Sequence, residues 1–468
     1  MEQQKLPLWR TTTLGLQHIL AMYAGTIVVP LIVGPAIGLN EKELAYLISL
    51  DFLGCGIATL LQVLGGRYFG IKLPIVLGCA FQAVAPMIAI GKSSGIPAIY
   101  GAIIGSGIAV FLLSNVFGKI LKFFPPVVTG SVVTIIGITL IPVAINHAAG
   151  GMGKPGFGSL ENLGMSLFTL ALVIIINRVF KGFIQSIAVL LALIIGTIVA
   201  GFLGMVDLTP VKEAGWVQLV QPFYFGIPKF EWSAVIALTL VSLVSMIEST
   251  GVFIALGEVV EKKVGPNDIK KGLRAEGMAQ IIGGVFNSFP YTSFSQNVGL
   301  VALSRVKNNS VVIAAGSILI LLAFFPKIAA ITTLIPDAVL GGAILPMFGV
   351  VCASGIRMLS KVDFSRNENL IIVAASIGMG LGAAVVPAWF KGMPESFRLF
   401  FESGIVVGSL MAVLLNIVFN GVKTKPELKE EGKSQISDSE ESEAVDHHHR
   451  GKETEVVASD QLSESKPV

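Results

Sequence analysis

Apolar runs separated by short polar or basic turns recur about fourteen times along the chain, each near the ~20 residues a helix needs to cross a ~30 Å hydrocarbon core. In lipid every backbone N–H and C=O must be satisfied internally, so the runs are expected to be helices. They fall at 12–33, 43–65, 69–91, 97–118, 126–147, 161–178, 184–205, 231–257, 273–289, 290–304, 309–330, 336–355, 367–387 and 399–421. The first lacks a small-residue cleavage site and runs directly into further spans, so it reads as a retained helix. The longest connection, 206–230, contains Pro210, Trp216, Pro222 and Pro228 and divides the runs into two sets of seven, 1–205 and 231–421. An odd number of crossings obliges the second set to enter the membrane upside down. From about Lys425 the apolar residues give way to Lys, Glu, Asp and Ser, so 422–468, with its His447-His448-His449 trio, reads as a disordered cytoplasmic tail.

Two runs break the pattern, and they hold the same ordinal position in each half. The third contains Leu73-Pro74 and then Gly78-Cys79-Ala80-Phe81-Gln82; the tenth contains Phe289-Pro290 and then Ser293-Phe294-Ser295-Gln296-Asn297. In each, a short β-prone stretch near a proline precedes a short helical piece. Interrupted spans at matching positions of two halves point to a transporter with its binding site near the bilayer midplane. The plainer reading makes them proline-kinked helices. The expected fold is therefore an all-α polytopic membrane protein of about 14 transmembrane spans, in two inverted 7-span repeats, with spans 3 and 10 discontinuous and carrying short β-strands.

Composition agrees with a bilayer protein. The chain is 53% hydrophobic and 13% charged, against about 25% charged in soluble domains, and its mean hydropathy is +0.79. Its net charge of +3 reflects Lys and Arg gathered in alternate short loops, such as Lys262, Lys263, Lys270, Lys271 and Arg274, which places both termini in the cytoplasm. No nucleic-acid motif is present. Cys55, Cys79 and Cys352 lie on apolar stretches without metal-ligand spacing and read as packing residues. With only His18 and His147 outside the tail, no metal cluster, cofactor motif or nucleophile pair suggests an enzyme, and isolated acids do not make a channel lining.

Ionisable side chains within spans are costly and so draw attention: His18, Asp51, Glu248, Glu276 and Glu402. Glu248 lies mid-span, where a lone carboxylate must be paired, protonated or hydrated, and it is the leading candidate for a transport role. Glu276 either has such a role or simply pairs with Arg274 or caps its helix. His18 is either a satisfied core histidine or a member of a proton relay. Asp51 is expected to hold helices together. Gln296 and Asn297 open a helix whose unpaired N–H groups can meet an electron-rich ligand. A Gln amide sets a donor beside an acceptor, which suits a planar heterocycle. Gly299 permits close approach of another backbone, and Phe81, beside the opposing break, is placed to stack on a ring unless it faces lipid or core.

At these residues the chain resembles the nucleobase-ascorbate transporter family of nucleobase/cation symporters, over roughly residues 8 to 421. The family signature (Gln, Glu or Pro, then Asn, any residue, Gly, four residues, Thr, and Arg, Lys or Gly) stands here as Gln296, Asn297, Val298, Gly299, Ser304 and Arg305, with Ser in the Thr place. Gln17-His18, Phe81, Glu248 and Glu276, where many relatives have Asp, fall at matching positions. The resemblance implies a core domain containing the broken spans and a gate domain of spans five to seven and twelve to fourteen. It implies substrate contacts from Glu248, Gln296, Phe81, Ala80, Phe294 and Ser295, with Asn297, Gly299, Glu276, His18, Ser304 and Arg305 shaping or coupling the site. Gln at the first signature place goes with oxidised purines, which implies import of xanthine or urate by proton symport, with a purine nucleobase, protons and the lipid bilayer as partners and a homodimer as the assembly. The alternatives are a uracil or other nucleobase permease, or an anion exchanger of the sulphate or bicarbonate type.

Overall fold

In a computed structural model, the protein is described over residues 6–394 and 401–421. The expected tail and the opening residues of the last expected span lie outside the described residues. In chain order the first half comprises α1 (Leu8–Ala36), α2 (Glu41–Leu64), β1 (Leu77–Cys79), α3 (Val84–Ser94), α4 (Ile96–Leu113), α5 (Pro126–Ala148), α6 (Leu160–Val179) and α7 (Ala188–Phe202). The second comprises α8 (Trp232–Val259), α9 (Pro266–Val285), β2 (Tyr291–Ser293), α10 (Ser295–Ser304), α11 (Asn309–Leu322), α12 (Asp337–Leu359), α13 (Asn367–Val385) and α14 (Gly404–Asn420). The protein is an all-α polytopic membrane protein. Among the described residues, eight helices are long and apolar enough to cross a bilayer: α1, α2, α4, α5, α6, α8, α12 and α13.

The remaining runs depart from a straight apolar helix for identifiable reasons. α9 begins at Pro266, seven residues ahead of the sequence boundary, because Asp268 accepts from the Gly265 N–H at 3.0 Å and caps the first turn, ahead of Lys270 and Lys271. α11 bends by 92° into the short helix Pro326–Thr332, since Pro326 cannot donate to the preceding turn. The run expected at 97–118 ends at Leu113, and the short helix Phe117–Ile120 follows it separately.

The helix pairings come in couples exchanged by a shift of seven spans. α4 packs on α9 as α11 packs on α2, α8 on α4 as α1 on α11, and α6 on α12 as α13 on α5. These couplings are what a pseudo-two-fold between repeats requires. Glycines allow the closest of them: a Cβ on Gly277 would lie 2.6 Å from the Phe111 backbone in the α4–α9 contact, and one on Gly56 would lie 2.7 Å from the Gly316 carbonyl in the α2–α11 contact. α5 and α12 pair extensively in the same manner, with Gly341 against the Ala148 backbone, Gly355 against Thr134 and Gly137 against Cys352. α1–α4 and α8–α11 thus pack as one group and α5–α7 with α12 and α13 as another, with sparse contact between them. This matches the expected core and gate.

β1 and β2 pair antiparallel, with Leu77 opposite Ser293, Gly78 opposite Thr292 and Cys79 opposite Tyr291. Extended backbone at membrane depth survives only if its polar groups find partners within the protein. The ladder supplies some of them, and flanking groups supply more. Leu77 N donates to Thr59 Oγ1 (3.1 Å), Ser293 N to Ser249 Oγ (3.2 Å), Phe294 N to the Val76 carbonyl (3.1 Å) and Ala80 N to the Pro290 carbonyl (2.9 Å).

Candidate functional site

The paired strands aim two half-helices at the border between core and gate. Beyond β1 the chain turns through Phe81–Ala83 into α3; beyond β2 it enters α10 at Ser295. Phe81 is half-buried, and its ring meets the Phe348 ring of α12 edge-on with centroids 5.9 Å apart, so the break in span 3 touches the gate.

Glu248 reaches this border from the middle of α8. Gln82 Nε2, in the turn after β1, donates to Glu248 Oε2 at 2.6 Å, which fixes the carboxylate against the break and turns it away from lipid. Glu248 is nevertheless exposed, between buried Met246 and buried Ser249. Gln296, Ser295 and Gly299 on α10 are exposed as well, and a Cβ added at Gly251 or Gly299 would meet nothing within 4 Å. A carboxylate and a carboxamide, both from the second half of the chain, therefore open on unfilled space beside the core helices.

Behind that opening the polar groups are buried and joined. Ser293 Oγ donates to Glu276 Oε1 at 2.8 Å, while Arg274 bonds the Tyr68 carbonyl and Asn115 Oδ1. Glu276 therefore faces the strand, and the alternatives of an Arg274 pair or a helix cap drop out. Asn297 Nδ2 lies 3.0 Å from both His18 Nδ1 and the His18 carbonyl. With this amide assignment Nδ1 accepts, and the imidazole proton sits on Nε2. Asp51 accepts from Cys79 Sγ and from Ser288 Oγ, each at 2.9 Å, and Tyr291 Oη donates to Ser288 Oγ at 2.6 Å. Asp51 thereby ties α2 to both strands, as a structural residue would.

Some expected positions sit differently from the rest. Phe294 is buried, with its ring so close to the backbone of α1 and β1 that a Cβ on Gly78 would lie 2.5 Å from it and one on Gly25 2.8 Å. That ring wedges the strands from behind, so only the backbone of Phe294 is available to a ligand. Ala80 is likewise buried. Ser304 and Arg305 end α10, roughly 12–14 Å along the helix from Gln296. Ser304 Oγ accepts from Val306 N, and Arg305 adopts a left-handed φ of 54°. They stop the helix and do not join the opening. Just beyond, Lys307 pairs with Glu261 at 2.7 Å, and this hydrogen bond and its charge hold the Glu261 carboxyl below its usual range.

Three groups escaped the sequence reading. Gln82 had no sequence signal beyond being a polar residue in an apolar break. Ser249 bonds β2, but its neighbour Glu248 drew the attention. Cys79 reads as a packing residue in the sequence, yet its thiol donates to Asp51. Asp51, Cys55 and Cys79 form the one cluster among the described residues whose ligand-type atoms converge, within 4.8 Å of one another. Asp51 and Cys55 stand four positions apart on α2, but Cys79 is 24 positions beyond Cys55 on β1, so sequence spacing could not bring the third member in.

With this geometry in hand, a family model described as "Permease family" (Xan_ur_permease) matches residues 10–389. The chain belongs to this permease family. It is a family of transporters and not of enzymes. Xanthine permease of Bacillus subtilis (strain 168) is 54% identical over 422 residues, covering 90% of this chain and 96% of the relative. Uric acid permease PucK of the same organism is 54% identical over 406 residues, covering 87% and 94%. Among solved structures, the transmembrane domain of a cyanobacterium bicarbonate transporter BicA superposes with a TM-score of 0.55 at 14% identity, covering 88% of this permease and 98% of that chain. At that identity the likeness speaks for the fold alone. The membership agrees with the resemblance drawn from the signature at Gln296–Arg305.

Proposed function

We propose that this permease imports an oxidised purine nucleobase, xanthine or urate, together with a proton. The observation that carries the reading is the Gln82–Glu248 hydrogen bond, which holds the Glu248 carboxylate at the break in span 3, while Gln296 opens from the break in span 10 that β1 and β2 pair with it. A purinedione offers N–H groups to a carboxylate and a C=O/N–H edge to a carboxamide. Phe81 supplies an aromatic face, Ser295 and the backbone of Ala80 and Phe294 supply the cradle, and open space at Gly299 leaves room for the ring. The names of the Bacillus relatives, a xanthine permease and a uric acid permease, support this substrate class.

Proton coupling is assigned to Glu276. It is buried one hydrogen bond behind β2, so a change in its charge acts directly on the strand that leads into α10. Asn297 carries the same connection to His18 on α1. Substrate and proton must both favour the same state of core against gate, because a ligand that binds two states equally shifts neither. In this reading residues 1–205 and 231–421 are the two inverted repeats joined by 206–230, both termini are cytoplasmic, and the apolar, largely exposed faces of α6 and α13 meet lipid or a second copy in a homodimer.

Competition of labelled xanthine uptake by a panel of purines and uracil, with and without a protonophore, tests the whole reading. Xanthine or urate competes best and the protonophore abolishes accumulation. Best competition by uracil contradicts the substrate assignment. An anion exchanger of the sulphate or bicarbonate type has less support, because the Glu248 carboxylate at the opening repels a dianion.

A further inference from the structure

We propose that Gln82 is the second carboxamide of the substrate cradle and a specificity-determining residue, reading an edge of the purine that Gln296 does not reach. The inference rests on the purine reading above. The strand register carries it: with Gly78 opposite Thr292, the local two-fold that exchanges β1 and β2 maps Leu77 to Tyr291 and Cys79 to Ser293. Continued three residues beyond each strand, it maps Gln82 onto Gln296. The turn at Phe81–Ala83 and the start of α10 at Ser295 obey the same correspondence. Each half-helix also reaches across to the first helix of the other repeat, Gln82 to Glu248 on α8 and Asn297 to His18 on α1. The core thus presents a carboxamide from each repeat, one at each break.

The chemistry of Gln82 fits that place. It is 6% exposed, and a carboxamide has two N–H donors and a carbonyl acceptor. One N–H is committed to Glu248 Oε2, and among the described residues no protein group partners the other N–H or the carbonyl. The carbonyl is not sealed among buried groups, so a flat ligand with adjacent C=O and N–H groups can reach it and pair with it. Gln82 meanwhile keeps one oxygen of Glu248 occupied, so the other is presented to substrate.

A residue that only steers Glu248 affects every purine alike, whereas one that reads the ligand changes the ratios among them. The experiment measures inhibition of labelled xanthine uptake by xanthine, urate, hypoxanthine and N-methylated xanthines, in cells matched for membrane protein, for wild type, Gln82→Leu and Gln82→Asn. The expected result is that Gln82→Leu weakens at least one purine about tenfold more than another. An unchanged profile, or equal weakening of every inhibitor, overturns the proposal. Should Gln82→Leu fail to reach the membrane, Gln82→Asn decides by the same comparison. A wild-type protein that transports no purine overturns the purine reading and this inference together; normal xanthine uptake that Glu248→Gln abolishes, with a Gln82 profile unchanged, overturns this inference alone.

Discussion

Ser293 Oγ donates to Glu276 Oε1 at 2.8 Å, linking the last residue of β2 to a buried acid of α9. A proton on that acid and the position of the signature helix are therefore parts of one hydrogen-bonded unit. Glu276→Gln keeps the size and a hydrogen-bonding group but fixes the site in an uncharged form. The expected outcome is exchange of labelled xanthine across the membrane with accumulation lost, and the remaining flux insensitive to a protonophore. Uptake that stays uphill and protonophore-sensitive removes Glu276 from the coupling role.

The wedge behind the strands makes a stability prediction. The Phe294 ring fills space that exists only because Gly25 and Gly78 have no side chains. Phe294→Ala should cost about 3–5 kcal/mol through the cavity it leaves, whereas Gly78→Ala should cost about 1–3 kcal/mol by overpacking. Thermal melting of the detergent-purified protein checks both, with both variants melting below wild type.

Asn297 and His18 should behave as a coupled pair. Asn297→Ala and His18→Ala each remove the same contact, so the double variant should lose less stability than the sum of the singles, with an interaction of roughly 0.5–3 kcal/mol. Strict additivity in a melting cycle denies the contact an energetic role.

The gate makes a packing prediction. Gly341 lies against the backbone of Ala148, where any Cβ collides. Gly341→Val should therefore separate α5 from α12 and reduce folded protein in the membrane, whereas Gly299→Ala, which faces open space, should leave the amount of folded protein unchanged. Quantifying monodisperse protein after solubilisation compares the two.

The general architecture was legible in the sequence because bilayer physics writes it in long apolar runs, and the two breaks were legible because Pro74 and Pro290 precede polar residues that no lipid-facing helix would carry. Glu248 stood out for the same reason. The 92° bend in α11 did not, since both of its arms are apolar and a hydropathy window runs across Pro326. The place of the Phe294 ring was not legible, because an aromatic beside a site reads the same whether it faces forward or back; only the glycines opposite show that the ring lies behind the strands. Ser304 and Arg305 drew notice as part of a signature, yet they serve the end of α10. Partners such as Gln82 for Glu248, 166 positions apart, exist only once the repeats are packed together.

The central claim is that the Glu248 carboxylate and the Gln296 carboxamide grip one planar purine between the two breaks. Its most direct test is labelled xanthine uptake by Glu248→Gln cells matched to wild type for protein in the membrane. Uptake should fall by about a hundredfold or more, as expected when a desolvated charged partner is removed. Accumulation at the wild-type rate contradicts the account.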